Sequence, residues 1–241
     1  MSALVLAQAA LPRDITLTEF LFDADLWTRR NGILSSLGDT VLLCGAVILV
    51  ATLIAVPLAA KLAHDRRGEM SVAWIITLSR AVPTLAVAAL LVPFSLRAGW
   101  GFEPWPIFVG LLLLALPQIY INTYTAVRDV DRGVVAAARG MGLTESDVLW
   151  RIEVALAADV IMTSVRVAAV QVVATEPLRA FLGGDGLGRY VRDGYGQNNT
   201  NQIIGGTILI GLLAATTAGA FRLVERTALP KGVTRLAQLS T

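Results

Sequence analysis

Long uninterrupted runs of apolar residues alternate along this chain with short charged stretches. Val41 to Ala60, Trp105 to Ala126 and Ile203 to Phe221 carry no charge at all. Val72 to Leu96 is interrupted by Arg80, and Val160 to Leu178 by Arg166 and Glu176. A helix needs about 20 mostly apolar residues to cross a bilayer, so the pattern predicts five membrane-spanning helices. Ala3 to Leu11 is apolar but about half that length and lacks the positive flank of a secretory signal. Ile15 to Leu26 mixes apolar residues with Glu19, Asp23 and Asp25, the pattern of an amphipathic or loosely held segment at one membrane face.

Composition agrees. Hydrophobic residues make up 55% of the 241 positions and charged residues 16%, with a mean hydropathy of +0.66. A soluble domain carries about 25% charged residues, and a chain this poor in charge could not cover a water-facing surface. The net charge of +2 is too small to argue for nucleic acid. One Cys and one His exclude a disulfide framework and a Cys/His zinc site. Cys44 reads as an ordinary apolar residue in the first span, and His64 as a solvated residue on a charged loop.

Basic residues bias orientation toward the inner face. Eleven fall in the segments Lys61–Met70, Val127–Asp159 and the tail from Arg222, against seven in the opposite set. The expectation is an N-terminus outside and a C-terminus inside, with residues 1–34 extracytoplasmic, a transmembrane domain over 35–228, and a cytoplasmic tail at 229–241.

The connection between the third and fourth spans is about 30 residues, longer than most connections. Asp131 is placed to cap a helix through Val134–Arg139, Gly140 and Gly142 break it, and Thr144 with Asp147 at N3 starts another. Val148, Leu149, Ile152 and Val154 follow at amphipathic spacing. A helix, a glycine elbow and a second helix either cover the ends of the spans or fit into another protein.

Within this loop, Val135-Ala136-Ala137-Ala138-Arg139-Gly140-Met141-Gly142 followed by Ile152-Glu153-Val154-Ala155 resembles the EAA loop of bacterial ABC importer permeases. That pattern is Glu-Ala-Ala, three residues, Gly, nine residues, Ile, one residue, Leu-Pro. Ala137, Ala138, Gly142 and Ile152 match it; Ala136, Val154 and Ala155 stand where the family has Glu, Leu and Pro. Leu116–Thr125, with Asn122-Thr123-Tyr124, resembles a segment of the glycine betaine/carnitine/choline permeases. So do Ala81-Val82-Pro83-Thr84-Leu85-Ala86 and the glycine-rich turn Leu182–Gly188.

The resemblance implies an all-α Type I (MetI-like) importer permease with a cytoplasmic coupling loop at 128–158. It implies cytoplasmic ATPase subunits docked on that loop, a second permease subunit, an extracytoplasmic substrate-binding protein, and a location in the bacterial cell membrane. The substrate it implies is a quaternary-ammonium osmoprotectant. The subunit would be non-catalytic, with no cofactor and no metal; the chain carries no Walker A pattern. Ala136, Ala137, Ala138, Arg139, Gly140, Gly142, Leu143, Thr144 and Ile152 would form the docking element. Ala136 removes a charged contact, and Ala155 removes a helix-stopping proline, so the second coupling helix is expected to run on into the fourth span. Both departures suggest a partner permease that is a different chain with a fuller motif.

Arg80, Pro83, Asn122, Tyr124 and Glu176 are the candidate lining of the path or its gate. A central arginine costs roughly 2.5–3.5 kcal/mol on insertion scales, so Arg80 either lines the path or caps a broken helix. Arg166 reads as structural. Glu176 either pairs with Arg179 three residues on or faces outward to attract a cationic headgroup. Pro57, Pro83, Pro93, Pro117 and Pro177 all fall in predicted spans, and Gly205, Gly206, Gly211, Ala215 and Gly219 offer a small-residue packing surface in the fifth. The competing readings are an amino-acid importer permease of the methionine type, a self-contained secondary transporter or channel, and a membrane scaffold.

Overall fold

The computed structural model describes residues 15–68, 83–102 and 104–228. Among them the chain is helical throughout, with no strand. Two short helices, α1 (Leu17–Phe22) and α2 (Ala24–Thr28), precede the long α3 (Ile33–His64). Then come α4 (Thr84–Arg97), α5 (Trp105–Arg128) and α6 (Arg132–Gly140). One unbroken helical run covers Glu145–Leu182: α7 (Glu145–Asp147), a π-helical turn (Val148–Glu153), α8 (Val154–Thr175) and a 3₁₀ segment (Glu176–Leu182). The chain closes with α9 (Gly188–Gln197) and α10 (Thr200–Ala228).

Four of these elements, α3, α5, the 145–182 run and α10, are long and apolar enough to cross a membrane. The second predicted span is described only from Pro83 onward, as the shorter apolar α4. Arg80 therefore lies outside the described residues. Its neighbour Pro83 does not bend a helix; it stands exposed at the N-cap of α4. Pro57, Pro93 and Pro117 do lie inside helices, where each removes a backbone donor. Pro177 opens the 3₁₀ segment.

The core forms where α3, α5 and α8 meet. α3 contributes Ala51, Ala55, Ala59, Ala60 and Ala63, α5 contributes Ile107, Leu111, Ala115 and Ile119, and α8 contributes Ile161, Ala168 and Val172. The alanine stripe lets the α3 backbone approach closely, the way small residues do between helices in lipid. The opposite face of α3 exposes Leu42, Leu49, Leu53 and Leu58, and α10 exposes Leu212 and Leu223. Large aliphatic side chains on that scale suit contact with lipid tails or with another membrane subunit.

The N-terminal helices are docked rather than loose. Thr16 and Glu19 form a capping box, and Phe20 is fully buried, edge-on to Tyr190 with ring centroids 5.4 Å apart. A Cβ on Gly205 would come within 2.2 Å of Phe20, and one on Gly206 within 3.0 Å of Tyr190. These two glycines pack as the sequence predicts. Gly211 and Gly219 meet nothing within 4 Å among the described residues, so close glycine packing within this chain is at Gly205 and Gly206.

Candidate functional site

The loop between α5 and α8 forms the predicted helix–elbow–helix. Asp131 accepts hydrogen bonds from the Gly133 and Val134 amides at 2.7 and 3.1 Å, starting α6. Val135 and Ala138 face inward onto Val148, with Val130, Leu143 and Ile152 around them. Ala136, Ala137, Arg139 and Gly140 face outward with Val134 and Met141. The chain turns at Gly142, where φ is +84°, a conformation that costs any other L-residue roughly 1–2 kcal/mol. Thr144 then caps α7, accepting from the Asp147 amide at 3.2 Å. With alanine at 155, the helix continues from here to Leu182, as expected.

Two ionic contacts close the elbow. Arg139 grips Glu145 with Nε and Nη2, each at 2.9 Å. That hydrogen-bonded guanidinium holds the Glu145 carboxyl below its ordinary value and raises Arg139 in turn. The pair is exposed, so it orders the turn more than it stabilises the fold. His64, the last residue of α3, sits behind it. Its Nε2 lies 3.0 Å from Glu145 and its Nδ1 2.6 Å from Glu153. Only the imidazolium form donates at both nitrogens. Its side chain is 9% exposed, so the expected solvated histidine is instead the junction between α3 and the loop. Glu153, its partner on the packed face of the run, is itself buried.

The four candidate path residues that are described, Pro83, Asn122, Tyr124 and Glu176, do not converge. The Asn122 side chain donates to the Gln118 carbonyl at 2.7 Å and lines a cleft of about 360 Å³ beside the loop with Thr125, Asp129 and Asp131. The Tyr124 hydroxyl donates to the Arg67 carbonyl and accepts from Arg128, both at 3.1 Å. Pro83 is exposed before α4, and Arg80 is outside the described residues. Glu176 lies at the far end of the bundle, wholly buried.

Around Glu176 the chain builds a closed polar knot. Arg179 Nε contacts the carboxylate at 2.8 Å and donates to the Asp185 carbonyl at 2.7 Å. Thr40, from α3, donates to the carboxylate at 3.2 Å and accepts from the Leu187 amide at 3.1 Å. The predicted local pair is present, and the carboxylate is turned onto the chain's own groups. Gly186 makes the closure possible. Its φ is +94°, and a Cβ there would lie 2.6 Å from Arg179, 2.8 Å from Thr40 and 2.9 Å from Glu176. Arg166, the other charge inside a span, pairs with Glu225 of α10 at 2.6 Å. Nothing in sequence spacing pointed to that pair or to His64, because the partners lie 59 and 89 residues away.

The family pattern described as the binding-protein-dependent transport system inner membrane component matches residues 48–226. The chain belongs to this family. Among curated relatives of this permease family, the choline transport system permease protein OpuBB of Bacillus subtilis is 30% identical over 80% of this chain and 87% of its own. The glycine betaine/carnitine/choline transport system permease protein OpuCB of the same organism is 26% identical over 89% and 97%. A carnitine transport permease protein of Listeria monocytogenes, OpuCD, is 32% identical over 76% and 80%. Among solved structures, the inward-facing MetNI methionine ABC transporter superposes with a TM-score of 0.70, covering 83% of this chain and 96% of that one at 17% identity. The fold is that of an ABC transporter permease, and the chain is a multi-pass membrane protein.

Proposed function

We propose that this permease forms the translocation path of an ATP-driven importer for quaternary-ammonium osmoprotectants such as choline, glycine betaine or carnitine. The names of its relatives support the substrate class. The observation that carries the mechanism is the anchored elbow. Its outer face, Val134, Ala136, Ala137, Arg139 and Met141, is open to a partner. Its inner face is fastened to α3 through His64 and is continuous with a membrane-long helix. A cytoplasmic ATPase subunit docked on α6 would pull on both at once.

In this reading the 128–158 loop lies in the cytoplasm and residues 1–34 face outward, in the bacterial inner membrane. An extracytoplasmic binding protein delivers the ligand. ATP binding draws two coupling loops together and opens the outward path; hydrolysis resets it. The subunit itself hydrolyses nothing. Ala136, exposed where related permeases carry glutamate, favours a second permease of different sequence that supplies the charged contact.

Uptake of labelled choline into vesicles containing the permeases, ATPase and binding protein tests this. Accumulation requires all the components and ATP. Uptake that persists without the ATPase identifies a secondary transporter instead, and competition by methionine rather than by glycine betaine identifies an amino-acid importer. Purification that yields two copies of this chain and no second permease contradicts the mixed pair.

A further inference from the structure

Large aromatic side chains on the surface gather at the end of the bundle away from the elbow. Phe22, Trp100, Phe102, Trp105, Phe181 and Tyr195 are exposed there, whereas near the elbow only Trp150 is, among the described residues. Trp100 and Phe102 belong to the turn between α4 and α5, and Trp105 opens α5. The turn is rigid for local reasons. The Trp100 amide donates to the Ser95 carbonyl at 2.9 Å and the Gly99 amide to the Leu96 carbonyl at 3.1 Å. This is the paired closure of a Schellman cap, with Gly99 at a φ of +74°. Ser95 Oγ donates to the Gly101 carbonyl at 2.6 Å, and Phe102 lies over Gly183, whose Cβ position is 3.6 Å from its ring. In such a cap the residue at the Trp100 position commonly packs on an apolar residue at the Ser95 position. Serine offers no such contact, and the indole stays 64% exposed. Trp105, 52% exposed, stands 6.0 Å from it between ring centroids. Trp27 donates its indole N–H to the Leu21 carbonyl at 2.9 Å, whereas those of Trp100 and Trp105 meet no acceptor among the described residues.

The surroundings of the two indoles identify their partner. α4 exposes Ala86, Leu90 and Phe94 along one face, and this apolar stripe ends at the exposed Arg97, three residues before Trp100. On the other side of the turn, Trp105 is the first residue of a helix apolar and long enough to cross a membrane. A surface that passes from aliphatic to charged and aromatic within one helical turn matches the passage from hydrocarbon to headgroups, where tryptophan concentrates. Hydrocarbon would strand the N–H donors, and water would solvate the rings; the glycerol and headgroup layer suits both ends of an indole. Headgroup charge does not select the site, because Arg97 and Glu103 flank the turn in sequence with opposite signs. We propose that the α4–α5 turn is an interfacial anchor whose partner is the phospholipid glycerol and headgroup layer on the side away from the elbow, with the Trp100 and Trp105 indoles seated in it. The anchor sets the depth of that end of the α4–α5 hairpin in the bilayer. It requires only that the chain is a membrane permease, and it holds whatever the transported substrate.

The test is tryptophan fluorescence of the complete transporter in nanodiscs. The signal is read as the difference between the wild type and Trp100→Phe, and again between the wild type and Trp105→Phe, which subtracts every other tryptophan. The discs carry phosphatidylcholine brominated either near the glycerol end of its chains or near the chain terminus. Both difference signals are quenched about twofold more by bromine near the glycerol end than by bromine at the terminus, and only weakly by aqueous iodide. Quenching dominated by iodide leaves the turn in water and overturns the proposal. Stronger quenching by bromine at the chain terminus places the indoles in hydrocarbon and also overturns it. Quenching by neither probe means that protein covers the turn, with the same consequence. Both indoles are exposed, so the substitutions leave assembly intact, which co-purification of the subunits checks. The Trp100 difference alone decides where Trp105→Phe lowers the yield.

Discussion

The two ends of the bundle join the same two elements with opposite chemistry. At the elbow end, His64 of α3 meets Glu145 and Glu153. At the far end, Thr40 of α3 meets Glu176. Between these points α3 runs for roughly 36 Å at 1.5 Å per residue, packed against the core throughout. The far junction is sealed: Glu176 is 0% and Arg179 5% exposed, with Gly186 wrapped over both. The near junction is graded, from the buried Glu153 to Glu145 at 62%. A buried pair broken on one side costs about 3–5 kcal/mol, whereas exposed pairs are worth less than about 1 kcal/mol. The far end is therefore the firmer of the two junctions, and the near end is the one more open to the solvent side. Clamped at both ends, α3 and the 145–182 run are placed to move as one body when the elbow is pulled.

Breaking the sealed end should have the largest effect. Gly186→Ala forces a Cβ into three polar atoms at a positive φ, and a loss of about 3–5 kcal/mol follows if the Glu176–Arg179 pair opens. Thermal unfolding of the purified complex measures it; an unchanged melting temperature would mean that the knot is not a clamp.

His64→Ala leaves the buried Glu153 without its imidazole partner, a stability cost in the buried-pair range of about 3–5 kcal/mol, and the change is also visible in function. ATP hydrolysis continues while uptake per ATP drops, because α3 no longer follows the loop. Equal loss of both activities would mean that His64 only supports the fold.

Gly142→Val comes next. Nothing lies within 4 Å of its Cβ position among the described residues, so the cost is the local strain of roughly 1–2 kcal/mol. Membrane insertion is expected to be normal, and transport-coupled ATP hydrolysis to fall. Normal coupling would count against the elbow as the docking element.

The smallest effect concerns pH. The Glu145 carboxyl sits below its ordinary value because of Arg139. Its contribution is complete above the unfolded value, about 4.3 for a glutamate, and is lost as pH falls through the lowered folded one. Arg139→Gln should move the acid limb of coupled activity upward; an unmoved limb would detach that pair from the elbow's order.

How much of this was legible beforehand follows from the range of the interactions. The Asp131 and Thr144 caps, the Gly142 turn and the run-on past Ala155 are set by residues a few positions apart, and each is where the pattern places it. The Glu176–Arg179 pair is equally local. His64–Glu153, Thr40–Glu176 and Arg166–Glu225 join distant helices, and no periodicity encodes them. The same holds for the five candidate path residues. Resemblance and charge placement grouped them, and of the four that are described, Asn122 and Tyr124 lie toward the elbow and Glu176 at the opposite end.

The account turns on whether motion at the elbow reaches the membrane through α3. Cysteine pairs reporting the distance between α3 and α8, at the bundle's midpoint, can be followed in the reconstituted transporter through an ATP cycle. A constant separation while both helices shift against α10 is the predicted result. An α3 that stays with α10 while α8 moves would contradict it.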